Sequence, residues 1–99
     1  MYRIYTEDKN REATLKLVAA SFDAFTVLEA QGYWRGTPER SIVIEIETEN
    51  AKGVHKLARD IREANAQEAV LVQRTPSYSE LVTADASDFS RYFYVRAGE

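Results

Sequence analysis

Residues 25–48 read FTVLEAQGYWRGTPERSIVIEIET, and this stretch decides the fold. From residue 40 to 48 it alternates strictly: Ile42, Ile44 and Ile46 fall on one side, Val43, Glu45 and Glu47 on the other. A period of two over this length marks a strand with one buried face. Residues 25–34 are rich in β-branched and aromatic side chains and predict a second extended run. Between the two lies Gly32-Tyr33-Trp34-Arg35-Gly36-Thr37-Pro38-Glu39, with the single Trp, two of the four Gly and one of the two Pro. Two readings of this segment stand side by side. One is a β-bulge with a hairpin turn; the other is a loop offering backbone N–H and C=O groups to a ligand. Loops on a rigid scaffold often carry function, so the candidate site is placed here.

Working outward, residues 2–6 predict a short strand, and Asn10 is placed to cap a helix. Leu15, Val18 and Phe22 recur at helical spacing, Glu12 and Lys16 make an i,i+4 pair, and the helix should end near Phe22. On the other side, Asn50 caps a second helix whose apolar stripe is Val54, Leu57, Ala58 and Ile61, with Asn65 as its stop. Gly53 in its first turn should weaken it by about 1 kcal/mol relative to Ala. Residues 69–75 predict a fourth strand that Pro76 ends. The order β-α-β-β-α-β predicts an α+β, ferredoxin-like antiparallel sheet with both helices on one face. Residues 1–76 form this core. Residues 77–99 are expected to add C-terminal strands at Leu81-Val82 and Tyr92-Phe93-Tyr94-Val95 around a turn at Asp85-Ala86-Ser87-Asp88. The helix-free face would carry Leu28, Val43 and Leu71, too apolar to stay wet, so the tail or a neighbouring subunit is expected to cover it.

Composition narrows the function. Ninety-nine residues make one domain with a modest core, so a ligand pocket is more easily built between subunits than inside one. The net charge of −3 is interspersed and forms no basic stripe, which argues against nucleic acid. The absence of cysteine excludes disulfides, thiolate chemistry and Cys-based zinc sites, and suits a cytoplasmic protein. Residues 1–20 lack the pattern of a signal peptide, and no apolar run reaches the roughly 20 residues needed to cross a bilayer, so no membrane partner is expected.

Within the central segment, Tyr33 and Trp34 should point to opposite faces, one into the core and one lining a site, where an aromatic face can stack on a purine or hold a cation. Arg35 is a polar candidate beside them. Glu39, after Pro38, can accept hydrogen bonds from ribose hydroxyls or pair with an ammonium. Gln67 and Glu68 precede the fourth strand, at the opposite sheet edge from the second, and are expected to meet the loop of a different subunit. His55, the single histidine, is expected to be exposed and inert, and one histidine builds no multi-His metal site. There is no Ser-His-Asp set, P-loop, GxGxxG or Cys-His pair. An enzyme with this inventory must work by positioning and electrostatics on a substrate that reacts largely by itself.

Gly32-Tyr33-Trp34-Arg35, the triplet Glu39-Arg40-Ser41 that opens the alternating strand, and Gln67-Glu68-Ala69-Val70-Leu71-Val72 running on to Leu81-Val82 carry a resemblance. From Glu29 to about Ala84 the chain resembles the phage S-adenosylmethionine lyases, formerly described as hydrolases. The resemblance implies a fold similar to the PII signalling proteins: homotrimers of ferredoxin-like subunits with sites at the interfaces. It implies cleavage of S-adenosylmethionine to methylthioadenosine and homoserine lactone, with no cofactor and no metal. It gives Glu39 the role of orienting the substrate, and the backbone around Tyr33-Trp34 that of holding the methionine portion. It also implies a setting in the host cytoplasm, countering restriction-modification. The chain departs from the family where Trp34 replaces a Tyr and where the Arg35–Glu39 connection is shorter. A non-catalytic PII-like protein binding an adenine nucleotide is the alternative. A dimeric ferredoxin-like monooxygenase, resting on Trp34 and His55, is a third.

Overall fold

Three isoleucines on one strand set the sheet. The computed structural model of the chain describes residues 1–78 and 96–97. Its elements are β1 (Tyr2–Glu7), α1 (Arg11–Ser21), β2 (Thr26–Trp34), β3 (Thr37–Ile46), α2 (Ala51–Ala64), β4 (Leu71–Arg74), β5 (Ser77–Tyr78) and β6 (Arg96–Ala97). β1 to β4 form one antiparallel sheet in the order β2-β3-β1-β4. With two helices, this is the α+β arrangement compatible with a ferredoxin-like fold. β5 and β6 pair separately, Ser77 with Ala97 and Tyr78 with Arg96. The strands expected at Leu81-Val82 and Tyr92–Val95, and the turn between them, lie outside the described residues.

The register explains the core. Val27, Ile44, Ile4 and Val72 stand in one cross-strand row, flanked by Ile42 beside Thr6 and Ile46 beside Tyr2. Ile4, Ile42, Ile44 and Ile46 are fully buried. Against them packs the α2 stripe Val54, Leu57, Ala58 and Ile61, the four residues its spacing predicts, together with Val18 of α1. Each buried aliphatic side chain contributes about 1.5–3 kcal/mol.

α1 differs from its expected face. Its buried residues are Thr14 and Val18, with Leu17 and Phe22 packed at the margin, while Leu15 is only half-buried. The reason is polar: Asn65 Nδ2 donates to Thr14 Oγ1 at 3.2 Å, which turns that edge of α1 toward the end of α2. Asn10 does occupy the N-cap position, but in the left-handed region and without a side-chain cap bond. Asn50 caps α2 as expected, its Oδ1 accepting from Gly53 N at 2.9 Å. A Cβ on Gly53 would lie 2.5 Å from Asn50 Nδ2, so the glycine makes room for its own cap.

α2 ends on Asn65 in a Schellman motif: Gln67 N donates to Arg62 O at 3.0 Å and Ala66 N to Glu63 O at 3.2 Å. Ala66 therefore sits at φ 50°. The motif delivers Gln67 inward, where its Oε1 accepts from Thr6 Oγ1 at 2.6 Å and Asn65 Nδ2 at 3.3 Å. This buried polar knot ties β1, α1, α2 and the approach to β4 together.

Candidate functional site

The central segment is not a loop. β2 runs to Trp34 and β3 begins at Thr37, leaving Arg35 and Gly36 as a two-residue turn. Both have positive φ, 50° and 82°, which is the type I′ geometry that matches strand twist. Pro38 pairs with Tyr33, one step from the Trp34–Thr37 pair that closes the turn. Ladder hydrogen bonds alternate, so the Pro38 nitrogen faces away from β2. β1 has ended there, and no bond is lost. The third strand thus starts earlier than residue 40, and of the two readings the hairpin turn is the one found.

The helix-free face is built from the alternate residues of the same strands. Leu28, Val43, Tyr5 and Leu71 form one row across all four. The next row toward the turn is Ala30, Ser41 and Glu7, then Gly32 beside Glu39, then Trp34 beside Thr37. Small residues at 30, 32 and 41 leave a trough. A Cβ at Gly32 would lie 2.7 Å from Ser41 Oγ, so a side chain there would fill its floor. The trough opens into a cavity of about 540 Å³ bounded by Tyr5, Glu7, Trp34, Glu39 and, from the approach to β4, Gln67 and Ala69. A smaller cleft of about 210 Å³ continues past Trp34 and Glu39 to Lys9 and Glu68.

The hairpin overhangs because β2 and β3 continue past the end of β1. The right-handed twist of a sheet carries such an overhang across the neighbouring strands. Arg35 NH2 meets Glu68 Oε1 at 2.7 Å, and the Arg35 guanidinium lies 5.4 Å from the Trp34 ring centroid. Glu68 therefore meets the hairpin of its own chain, where sequence reasoning expected both Gln67 and Glu68 to meet a neighbouring subunit. The roles of this pair also differ. Gln67 is buried and bonded within the knot, whereas Glu68 is exposed and engaged by Arg35. Tyr33 and Trp34 do point to opposite faces, but neither enters the core: Tyr33 is 71% exposed and Trp34 43%. His55 is exposed, with its Nδ1 2.7 Å from Ala51 O.

A second, charged cleft of about 310 Å³ lies beside the hairpin, lined by Asp8, Arg11, Glu29 and Arg40 among others. Arg11 binds Asp8 through Nε at 3.1 Å and NH2 at 2.6 Å, and Glu29 through NH1 at 2.9 Å. The Arg11 hydrogen bond holds the Asp8 carboxyl below its ordinary range, against a smaller opposing effect of burial. Asp8 and Glu29 in turn raise the Arg11 guanidinium. Among the described residues no group of three metal-ligating side chains converges, and no helix is long and apolar enough to cross a membrane.

Of the residues the sequence nominated, Gly32, Tyr33, Trp34, Glu39 and Gln67 line one cavity, and Arg35 and Glu68 pair beside it without lining it; Tyr5 and Glu7, not nominated, share the cavity. Their signal was available: 5 and 7 alternate with the buried 2, 4 and 6, so they belong to the open face. Comparison with protein-family models and with curated proteins finds no match to this chain.

Proposed function

We propose that this protein is an S-adenosylmethionine lyase whose substrate folds over the trough between Trp34 and Glu39. The observation that carries the reading is the convergence of Gly32, Trp34, Glu39, Gln67 and Ala69 on one cavity. Its volume of about 540 Å³ lies within the roughly 300–1,000 Å³ usual for small-molecule sites. The reaction asks little of the protein. The substrate carboxylate attacks its own γ-carbon, the carbon–sulfur bond breaks, and sulfur keeps the electron pair. Methylthioadenosine leaves neutral, and homoserine lactone keeps the ammonium charge. Holding attacking oxygen and carbon about 3–3.5 Å apart supplies much of the rate. In this reading Glu39 pairs with the ammonium or the ribose, Trp34 stacks on the adenine, and backbone near Tyr33 holds the methionine chain. Arg35 reaches the substrate only by leaving Glu68.

The assembly belongs to the same reading. Leu28 is 46% and Leu71 61% exposed, at the two ends of one apolar row. A PII-like trimer would cover that row and close the trough from above. By depleting methyl donor, such an enzyme would act against host restriction-modification.

Incubation with S-adenosylmethionine should release methylthioadenosine above the spontaneous rate, and Glu39→Gln should lower that rate about tenfold to a hundredfold with little change in stability. No product above background refutes the lyase. Saturable binding of intact ligand would then favour the adenine-nucleotide binder.

A further inference from the structure

The charge of the cavity says more than its shape. Among the described residues bounding it, the only charged ones are Glu7 and Glu39. Both stand on the open face, Glu7 opposite Ser41 and Glu39 two residues further along β3. Diagonal neighbours on a sheet are about 7–8 Å apart, close enough for one cation to feel both. Glu39 has no ion-pair partner among the described residues. Among the described residues Glu7 has only Lys9, at 3.7 Å and in the adjoining cleft. The other nearby cation, Arg35, is taken by Glu68 at 2.7 Å. The aromatic side chains Tyr5 and Trp34 also line it, and aromatic rings attract cations, as Trp34 does the Arg35 guanidinium at 5.4 Å. Among the described residues no Lys or Arg lines the cavity to receive a phosphate.

We propose that Glu7 and Glu39 together make this cavity select an organic cation bearing an aromatic group and reject phosphorylated nucleotides, with Glu7 a specificity residue. The inference rests on the ligand site described above and not on its chemistry, so binding and cleavage are tested apart. The probes are two adenosyl compounds that cannot be cleaved. Sinefungin carries an ammonium where S-adenosylmethionine has its sulfonium; S-adenosylhomocysteine is the neutral thioether. ATP is the third probe.

Calorimetry on the whole chain should find sinefungin at least about tenfold tighter than the thioether, and ATP without saturable binding. Glu7→Gln should narrow the ratio to about threefold by weakening sinefungin alone. In the unaltered protein the ratio should also fall as salt rises from 50 to 300 mM, since screening weakens the attraction. That measurement decides the matter if Glu7→Gln does not fold. Equal affinities, a ratio indifferent to salt, tighter ATP, or no saturable cation binding would each overturn the proposal. Selective sinefungin binding with no methylthioadenosine formed would sink the lyase and leave this inference standing.

Discussion

The two faces of β3 are one strand read at odd and even positions, and they end in opposite conditions. Ile42, Ile44 and Ile46 are closed under α1 and α2, while Glu39 and Ser41 look onto an open trough and Val43, only 8% exposed, lines its floor. The covered face is complete within one chain. The open face carries a half-finished apolar row next to carboxylates and small residues, an arrangement that supports binding and contributes little to a core. Stability and candidate function are thus separated by a single residue of register.

The largest expected effect tests that separation directly. Ile44→Ala should cost about 3–4 kcal/mol in chemical denaturation, because its neighbours cannot collapse into the space. Val43→Ala, at a side chain 8% exposed on the trough side, should cost less, about 1–2 kcal/mol in dilute protein, and more as concentration rises if copies cover its row. Equal losses at all concentrations would mean that the open face is as well packed as the covered one.

Ion pairs extend the contrast. Asp8–Arg11 and Arg35–Glu68 have similar contacts, 2.6 and 2.7 Å, but Asp8 is 10% exposed and Glu68 60%. Exposed pairs contribute little, so Asp8→Asn should destabilise the fold more than Glu68→Gln. The pH dependence has a definite sign. The folded Asp8 carboxyl titrates below its unfolded value of roughly 3.9, so its contribution is complete above that pH and is lost as pH falls through the folded value. Between pH 7 and 5 the wild-type and Asp8→Asn unfolding curves should run parallel. Below pH 4 the wild type should lose its advantage. An advantage that does not narrow at all as pH falls below 4 would contradict the assignment.

Where the sequence was legible follows the same division. Strict alternation at Ile42, Ile44 and Ile46 and the stripe Val54–Ile61 are apolar periodicities, and burial enforces them. The strand order followed from them. The hairpin tip was ambiguous because Arg35 occupies a left-handed position where Asn or Gly is the usual signal. Thr14 was passed over because a buried threonine needs a partner, and Asn65 lies far away in sequence. The Glu68 contact was misassigned to another subunit because strand order ignores how far a long hairpin curls. Glu7 and Tyr5 are readable from parity alone, since they alternate with the buried Tyr2, Ile4 and Thr6 on β1.

Ala66 tests a smaller element, the motif that aims Gln67 at the knot. Its φ of 50° costs an alanine about 1 kcal/mol, which glycine avoids. Glycine's greater freedom when unfolded returns part of the gain. Ala66→Gly should therefore stabilise the fold by about 0.5 kcal/mol. A loss would mean that Ala66 makes a contact beyond its backbone role.

The smallest effect is the most informative about the hairpin. Arg35→Asn and Glu68→Gln both remove the same exposed ion pair, which is worth about 0–1 kcal/mol. Only Arg35→Asn also relieves the turn, since Asn-Gly is favoured in type I′ geometry. If the turn is the whole of Arg35's part in stability, Arg35→Asn should be more stable than Glu68→Gln by about 0.5 kcal/mol. The guanidinium also lies over Trp34, and an exposed contact of that kind is worth about 0.5–1 kcal/mol. Should Arg35→Asn prove the less stable of the two, the clasp on Trp34 outweighs the backbone strain, and the hairpin tip is held as a wall of the trough. The strain at Arg35 would then be a cost of shaping the open face, and the boundary between core and site would run through the turn itself.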